Sequence, residues 1–380
     1  MSEWKEYKLG EIASKITSGG TPKSSEASFY DGDIPWLNTK EINFNRIVKT
    51  ERCITEEGLN NSSAKWIPKD SVIIAMYGAT AAKVAYSLID LTTNQACCNL
   101  TIDKAIADSK FVYYYIQSSY EELLNLACGA AQQNLSLGVI ADFPILLPSI
   151  QEQKRIASIL SSLDDKIDLL NRENVTLEAM AEALFHQWFI EEAKDDWEEG
   201  TLNDICEYVK DKIDITDIER DTYVSTENMC QNMQGVVKPS SVPDGIKITK
   251  YIEDDILLSN IRPYFKKLWF SDRRGGCSND VLCIRCKDEI FKYFTYYTIR
   301  QGEFFDYVML GSKGSKMPRG DKQHIMNWPL QMPPMQLLTE FNKYTEACLA
   351  KVRLNNKQVQ GLQAQRDTLL PKLMSNEITI

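Results

Sequence analysis

Apolar residues fall along this chain in two rhythms. Across residues 1–148 and 194–333 they come in short runs broken by turn formers, the rhythm of strands and short helices. VIIAM at 72–76 and ILLS at 256–259 follow acidic turns and suit buried strands. Loops are marked by Gly19-Gly20, Gly32, Gly78, Pro239, Gly275-Gly276 and Pro318. After Pro148 the rhythm changes. Steps of four and three pass through Ile156, Leu160, Leu163, Ile167, Leu170, Asn174, Leu177, Ala181, Leu184 and Trp188, the seam of a coiled coil with one polar interruption at Asn174. As a helix, residues 149–190 would span roughly 60 Å at 1.5 Å per residue. A weaker copy runs through Phe341, Thr345, Cys348, Val352, Asn355, Val359, Leu362, Arg366, Leu369 and Leu373. There Arg366 sits on the seam, and Pro371 is expected to break or kink the helix.

The same unit occurs twice. WKEYKLGEI at 4–12 is echoed by WEEGTLNDI at 197–205, KDSVII at 69–74 by EDDILL at 253–258, FVYYYI at 111–116 by FTYYTI at 294–299, and DFPILLP at 142–148 by NWPLQMP at 327–333. Collinear matches at nearly one offset predict an internal repeat of a globular part followed by a long helix. The fold class is α+β. The boundaries are a first globular domain at 1–148, a helix at 149–193, a second domain at 194–333, and a second helix with a C-terminal tail at 334–380. Tyr113, Tyr114 and Tyr115 lie in a helix-like run with Phe111 and Ile116, which favours core packing over a base-stacking platform.

Composition narrows the chemistry. The 380 residues carry 43 Lys+Arg against 53 Asp+Glu, a net charge of −10 that argues at first against nucleic acid. The deficit is local: residues 149–200 hold 5 basic and 13 acidic side chains, whereas residues 259–322 hold 13 and 7. A basic surface on one globular part is what DNA binding requires. The first residues show no apolar signal segment, and no run reaches the roughly 20 apolar residues of a membrane span. Ten scattered cysteines then read as reduced thiols in a cytoplasmic protein. With only His186 and His324, a multi-histidine metal centre is excluded. His186 reads as a helix-end packing residue.

Catalytic motifs are missing. GSKGSK at 311–316 lacks the spacing of a phosphate-binding loop and reads as a flexible basic loop; no GxGxxG or GxSxG occurs. NIRPY at 260–264 lacks the adjacent prolines that hold a flipped adenine. Cys283 and Cys286, near Cys277, have no second pair to complete a zinc site, and VLCIR at 281–285 reads as a strand with buried thiols.

The chain resembles the specificity subunit of Type I restriction-modification systems over essentially its full length. The resemblance rests on TSGGTP at 17–22, IPW at 34–36, MYGATAAKV at 76–84, TNQ at 93–95, QQN at 132–134, LPSIQEQKRIA at 147–157, ILSSLDDKI at 159–167 and LMSNEI at 373–378. The second half keeps STENM at 225–229 and IRPY at 261–264. The resemblance implies two target-recognition domains joined by an antiparallel pair of long helices with pseudo-twofold symmetry. Each domain would read half of a bipartite, asymmetric site on double-stranded DNA, the helices setting the gap. Such a subunit is not an enzyme. It would recruit two modification (methyltransferase) subunits and up to two restriction subunits, which would hold S-adenosylmethionine, ATP and Mg; this chain needs no cofactor, metal or membrane.

Base edges are read by Arg, Lys, Asn and Gln, with Ser, Thr and Lys on phosphates. Candidate contacts in the first domain are Ser18, Gly20, Thr21, Lys23, Lys40, Thr80, Lys83, Asn94, Gln95, Gln132, Gln133 and Asn134. In the second they are Thr226, Asn228, Arg262, Lys266, Lys267, Asn279, Lys313, Lys316 and Arg319. Each has a plainer alternative as a turn former or cap. Phe185, Trp188, Phe189, Leu369 and Leu373 are candidate docking points for the methyltransferase subunits, with packing inside the chain as the alternative. Rival readings are an adenine methyltransferase acting by itself and a coiled-coil adaptor that binds only protein.

Overall fold

The structure is a computed structural model describing residues 4–128, 134–245 and 247–378. The chain divides into two compact units: residues up to Leu169 joined by those from Gln358 onward, and Leu170–Lys357.

In the first unit a five-stranded sheet has the order Asn45–Ile47, Val84–Ser87, Val72–Ala75, Cys97–Ile102, Ala13–Ser18. Strand Val72–Ala75 is apolar on both sides because both faces are covered. Val72 and Ile74 share a core with Phe111, Val112 and Tyr113 of helix Ser109–Ser118, while Ile73 and Ala75 pack with Leu37, Ile42 and Cys97. A three-stranded sheet of Arg52–Ile54, Tyr30–Leu37 and Thr92–Thr93 adjoins it in sequence, and Lys5–Lys8 pairs antiparallel with Pro144–Leu147.

The second unit repeats the plan. Glu198–Thr201 pairs with Pro329–Met332, and a four-stranded sheet runs Cys206–Tyr208, Val281–Cys286, Ile256–Ser259, Leu268–Phe270. The register repeats too: Val72 faces Leu100 and Tyr86, and Ile256 faces Ile284 and Phe270, each at an offset of 184. Left-handed Asp70 (φ 67°) and Asp254 (φ 69°) turn the chain into these strands at the same offset. Cys283 and Cys286 lie three apart on one strand, so their side chains point to opposite faces and cannot meet on one ion.

The long helices are Ile150–His186, extended by a π-helical turn at Gln187–Glu191, and Met335–Met374. Within the first unit Asp164 meets Arg366, while Ile156 and Leu160 share a core with Leu370 and Leu373. Within the second, Asn174 bonds Asn355 and Asn356, while Phe185 packs on Phe341. The segments therefore run antiparallel in each unit, and Asn174 faces another amide layer: its Oδ1 accepts from Asn355 Nδ2 at 2.9 Å and its Nδ2 donates to Asn356 Oδ1 at 2.8 Å.

Two expectations fail here. Pro371 does not end its helix, which continues to Met374. Leu370, Leu373 and Met374 are buried in the first unit's core, and that burial outweighs one lost backbone bond. His186 does not pack: it is exposed, with Nδ1 3.2 Å from Glu191 Oε1.

Candidate nucleic-acid interface

At one end of the first unit's main sheet lie the C-terminal ends of Ala13–Ser18 and Val72–Ala75 and the N-terminal ends of Asn45–Ile47, Val84–Ser87 and Cys97–Ile102. The loops leaving these ends converge. Gly20 N donates to Thr93 O at 2.9 Å, Thr21 bonds Gln95, and Met76 N donates to Ala96 O at 2.8 Å. Tyr77 forms a bridge with Asn134, and the turn Thr39–Glu41 lies beside Gly78–Thr80. Ser18, Thr21, Lys40, Thr80, Lys83, Gln95 and Asn134 are thus brought to one sheet end.

The second unit gathers its loops at the corresponding end. Ile261 bridges Arg319, and Arg319 bridges Lys313. Arg262 N donates to Pro318 O at 2.8 Å, and Asn260 N donates to Asp280 O at 2.9 Å. Lys212 Nζ reaches Asn279 Oδ1 at 3.2 Å. Arg262, Lys266, Lys267, Asn279, Lys313 and Arg319, dispersed over nearly sixty positions of sequence, become neighbours. Lys316 is exposed on the same 313–319 loop.

The hairpin loops at these ends share one backbone. Gly78 (φ 76°) and Ala82 (φ 66°) correspond to Arg262 (φ 51°) and Lys266 (φ 47°) at an offset of 184. Three of the four are not glycine, and left-handed backbone costs such residues about 1–2 kcal/mol each. Arg262 also precedes a proline, which pushes a residue towards extended conformations. Each loop is tied down by its last lysine. Lys83 Nζ donates to Asn43 Oδ1 at 2.8 Å, and Lys267 Nζ donates to the Thr226 carbonyl at 2.5 Å. These two amino groups, expected on phosphate, hold the loops instead, and Thr226 contributes its backbone oxygen to that tie.

Other cations at the interface, all exposed, have carboxylate partners at the surface: Lys23 with Glu26, Lys40 with Glu51, Lys313 with the half-buried Asp321, Arg319 with Asp280. Exposed pairs of this kind contribute at most about 1 kcal/mol, so a phosphate can displace the carboxylate. The Lys313 ammonium and the backbone N–H groups of His324 and Gln323 hold the Asp321 carboxyl down to about 2.

Several expected contacts are scaffold. Gly20 is buried, its carbonyl accepting from Trp36 Nε1 at 2.9 Å, and a side chain there would strike the backbone of Ser63 and Ala64. Asn94 is buried in its turn, with Oδ1 accepting from Ala96 N. Asn228 is buried, accepting from Ser225 N and donating to the carbonyls of Tyr223 and Val237. Gln132 and Gln133 lie outside the described residues. Of the supposed docking residues, Phe185, Phe189 and Leu373 are core, Leu369 is half-buried against the first core, and Trp188 packs on Phe341 and Tyr344. The exposed tyrosines 77 and 264 escaped the sequence reading. Aligning 76–83 on 260–267 at offset 184 was the signal that could have found them.

Comparison with known proteins follows the same lines. The family described as "Type I restriction modification DNA specificity domain" matches residues 1–179. The MjaIX Type I restriction enzyme specificity subunit of Methanocaldococcus jannaschii is 26% identical over all of this chain and 94% of its own. The EcoR124I/EcoR124II specificity subunit of Escherichia coli is 33% identical over 43% of this chain and 41% of its own. Among solved structures, the Type-I restriction-modification S subunit from M. genitalium superposes with a TM-score of 0.59 at 16% identity, covering 98% of this chain and 96% of that one. That last likeness concerns the fold.

Proposed function

Because the chain belongs to the Type I restriction-modification specificity-subunit family, we propose that it selects the DNA sequence for a modification assembly, each unit reading one half of a split, asymmetric duplex site through the loop end of its sheet. The observation that carries this reading is the repeat: one strand register and one loop backbone, presented twice with unlike side chains. Two readers on one scaffold suit two different half-sites. The antiparallel helix segments set the gap between them. The chain itself is not catalytic. It works beside other restriction-modification subunits: two methyltransferase subunits that hold S-adenosylmethionine, and up to two restriction subunits that use ATP and magnesium. No helix among the described residues is long and apolar enough to cross a membrane, and the site of action is the cytoplasm, with the DNA.

The contacting set at each interface combines exposed hydroxyl and amide groups with cations: Thr21, Gln95 and Asn134 with Lys23 and Lys40 in the first unit, Asn279 with Arg262, Lys266, Lys313, Lys316 and Arg319 in the second. Amides and arginine supply base-edge hydrogen bonds, lysines the phosphate contacts. A map of N6-methyladenine in cells with and without this gene tests the reading. Loss of one split motif, two short blocks around a fixed gap, is the expected result; an unchanged methylome overturns it.

A further inference from the structure

Residues 260–267 offer more than a basic surface. The loop is fixed from three sides: Ile261 bridges Arg319, Met233 N donates to Lys266 O at 2.9 Å, and Lys267 grips the Thr226 carbonyl. Inside this frame the Phe265 ring is covered by cations, with Arg262 Cζ and Lys267 Nζ each 5.9 Å from its centroid. Tyr264, at the apex, contacts Phe265 edge-on and is otherwise turned outward, 48% exposed. A large aromatic ring is here held outward among Arg262, Lys266 and Lys267 by left-handed backbone at Arg262 and Lys266, and strain of this kind collects at sites of function.

The first unit supplies the comparison. Its loop 76–83 has the same two left-handed positions, yet its apex carries Ala79 and Thr80 where the second carries Pro263 and Tyr264. What the repeat keeps is the backbone, and what it varies is the side chain at the tip. Two readers of different sequences need that division.

Resting on the functional reading above, we propose that residues 261–267 are the base-reading segment of the second unit, with Tyr264 contacting base edges in the groove and Lys266 on an adjoining phosphate. The tyrosine ring can pack on a thymine methyl while its hydroxyl bonds a base-edge acceptor or donor. With the loop already fixed and only two torsions to settle, little freedom is lost on binding.

The test uses the full chain assembled with its methyltransferase subunits. Tyr264→Ala, Tyr264→Phe and Lys266→Ala are compared with wild type by mapping methylated motifs and by rates on duplexes carrying the native site or single-base changes. Tyr264→Ala should lose tenfold or more of the discrimination at one or two positions of a single half-site, leaving the other half-site and the gap unchanged. Tyr264→Phe should keep part of that discrimination. Lys266→Ala should slow all duplexes several-fold alike, because phosphate contacts carry no sequence information. Unchanged discrimination in Tyr264→Ala, or a uniform loss like that of Lys266→Ala, overturns the proposal. A wild-type assembly that methylates no split motif overturns the functional reading itself. Since Tyr264 is outside the core, an unaltered melting curve separates these outcomes from misfolding.

Discussion

The Arg366 guanidinium donates to Asp164 Oδ1 at 3.0 Å inside the first unit, and Tyr114 donates to the other oxygen of the same carboxylate at 2.6 Å. Burial works against the charge on Arg366, and its hydrogen bonds to Asp164 and Asp367 outweigh that penalty. The repeat places Leu349 and Ala181 at the equivalent positions of the second unit, where both join the apolar core. One site is thus solved twice, once with charge and once without.

Removing one member of the charged solution should be costly. Arg366→Ala strands a buried carboxylate and should destabilise the protein by roughly 3 kcal/mol in chemical denaturation. Replacing both, Asp164→Leu with Arg366→Ala, imports the second unit's arrangement and should recover most of the loss. A double variant as unstable as the single one would show that the apolar solution does not transfer.

At a second helix position the two copies differ in sign, and each takes its partner from a different part of the repeat. In the first unit Arg46 bonds Asp165 at 2.6 Å and also Asp168 on the helix. In the second the helix carries the cation: Arg353, equivalent to Asp168, bonds Glu253 at 2.7 Å and Asp254 at 2.6 Å. Arg46→Glu should therefore destabilise strongly, and adding Asp168→Arg should restore part of the stability, with a coupling on the order of 1–2 kcal/mol in a double-mutant cycle. Zero coupling would mean that the pair contributes only through packing.

These relationships divide what a sequence discloses from what it conceals. Strands 72–75 and 256–259, the helical seams and the repeat were legible because periodicity follows directly from which faces are covered. Asn94 and Asn228 misled because a loop amide looks the same whether it meets solvent or closes a turn. Pro371 misled because its local cost is visible in sequence, whereas the burial of Leu370 and Leu373 that offsets it is not. The left-handed loop was invisible at Arg262 and Lys266, since no residue type announces strain. The partnership of Arg353 with Asp254 spans about a hundred residues and has no local signal.

Strain at Lys266 yields a prediction with opposite signs. Lys266→Gly removes a left-handed lysine and should stabilise the second unit by roughly 0.5–1 kcal/mol, allowing for the greater freedom of glycine when unfolded. The same change should weaken DNA-dependent methylation several-fold by deleting a phosphate contact. Thermal melts and methylation rates on one preparation check both, and a variant that loses stability refutes the strain argument.

High pH should unfold the protein through its tyrosines. Burial pushes the hydroxyls of Tyr86, Tyr113 and Tyr114 well above the ordinary tyrosine range. Their unfolded counterparts ionise near pH 10, so above that pH the unfolded chain binds fewer protons than the folded one and stability falls as pH rises. Below it the contribution is constant. Denaturation midpoints should show no tyrosine-linked decline up to about pH 9.5 and should decline steeply beyond; tyrosinate absorbance in the folded protein at pH 10 matching the full tyrosine content would contradict this.

The sharing of the last helix has a consequence in time. Leu370, Leu373 and Met374 belong to the core that also holds Leu9 and Ile12. During synthesis at roughly 5–20 residues per second, about 10–40 s separate the appearance of Leu169 from that of Leu373. Throughout that interval the first half of the nascent chain presents Ile156 and Leu160 without the Leu370 and Leu373 that share their core. The first part to leave the ribosome therefore completes its core only when the message has been read almost to its end.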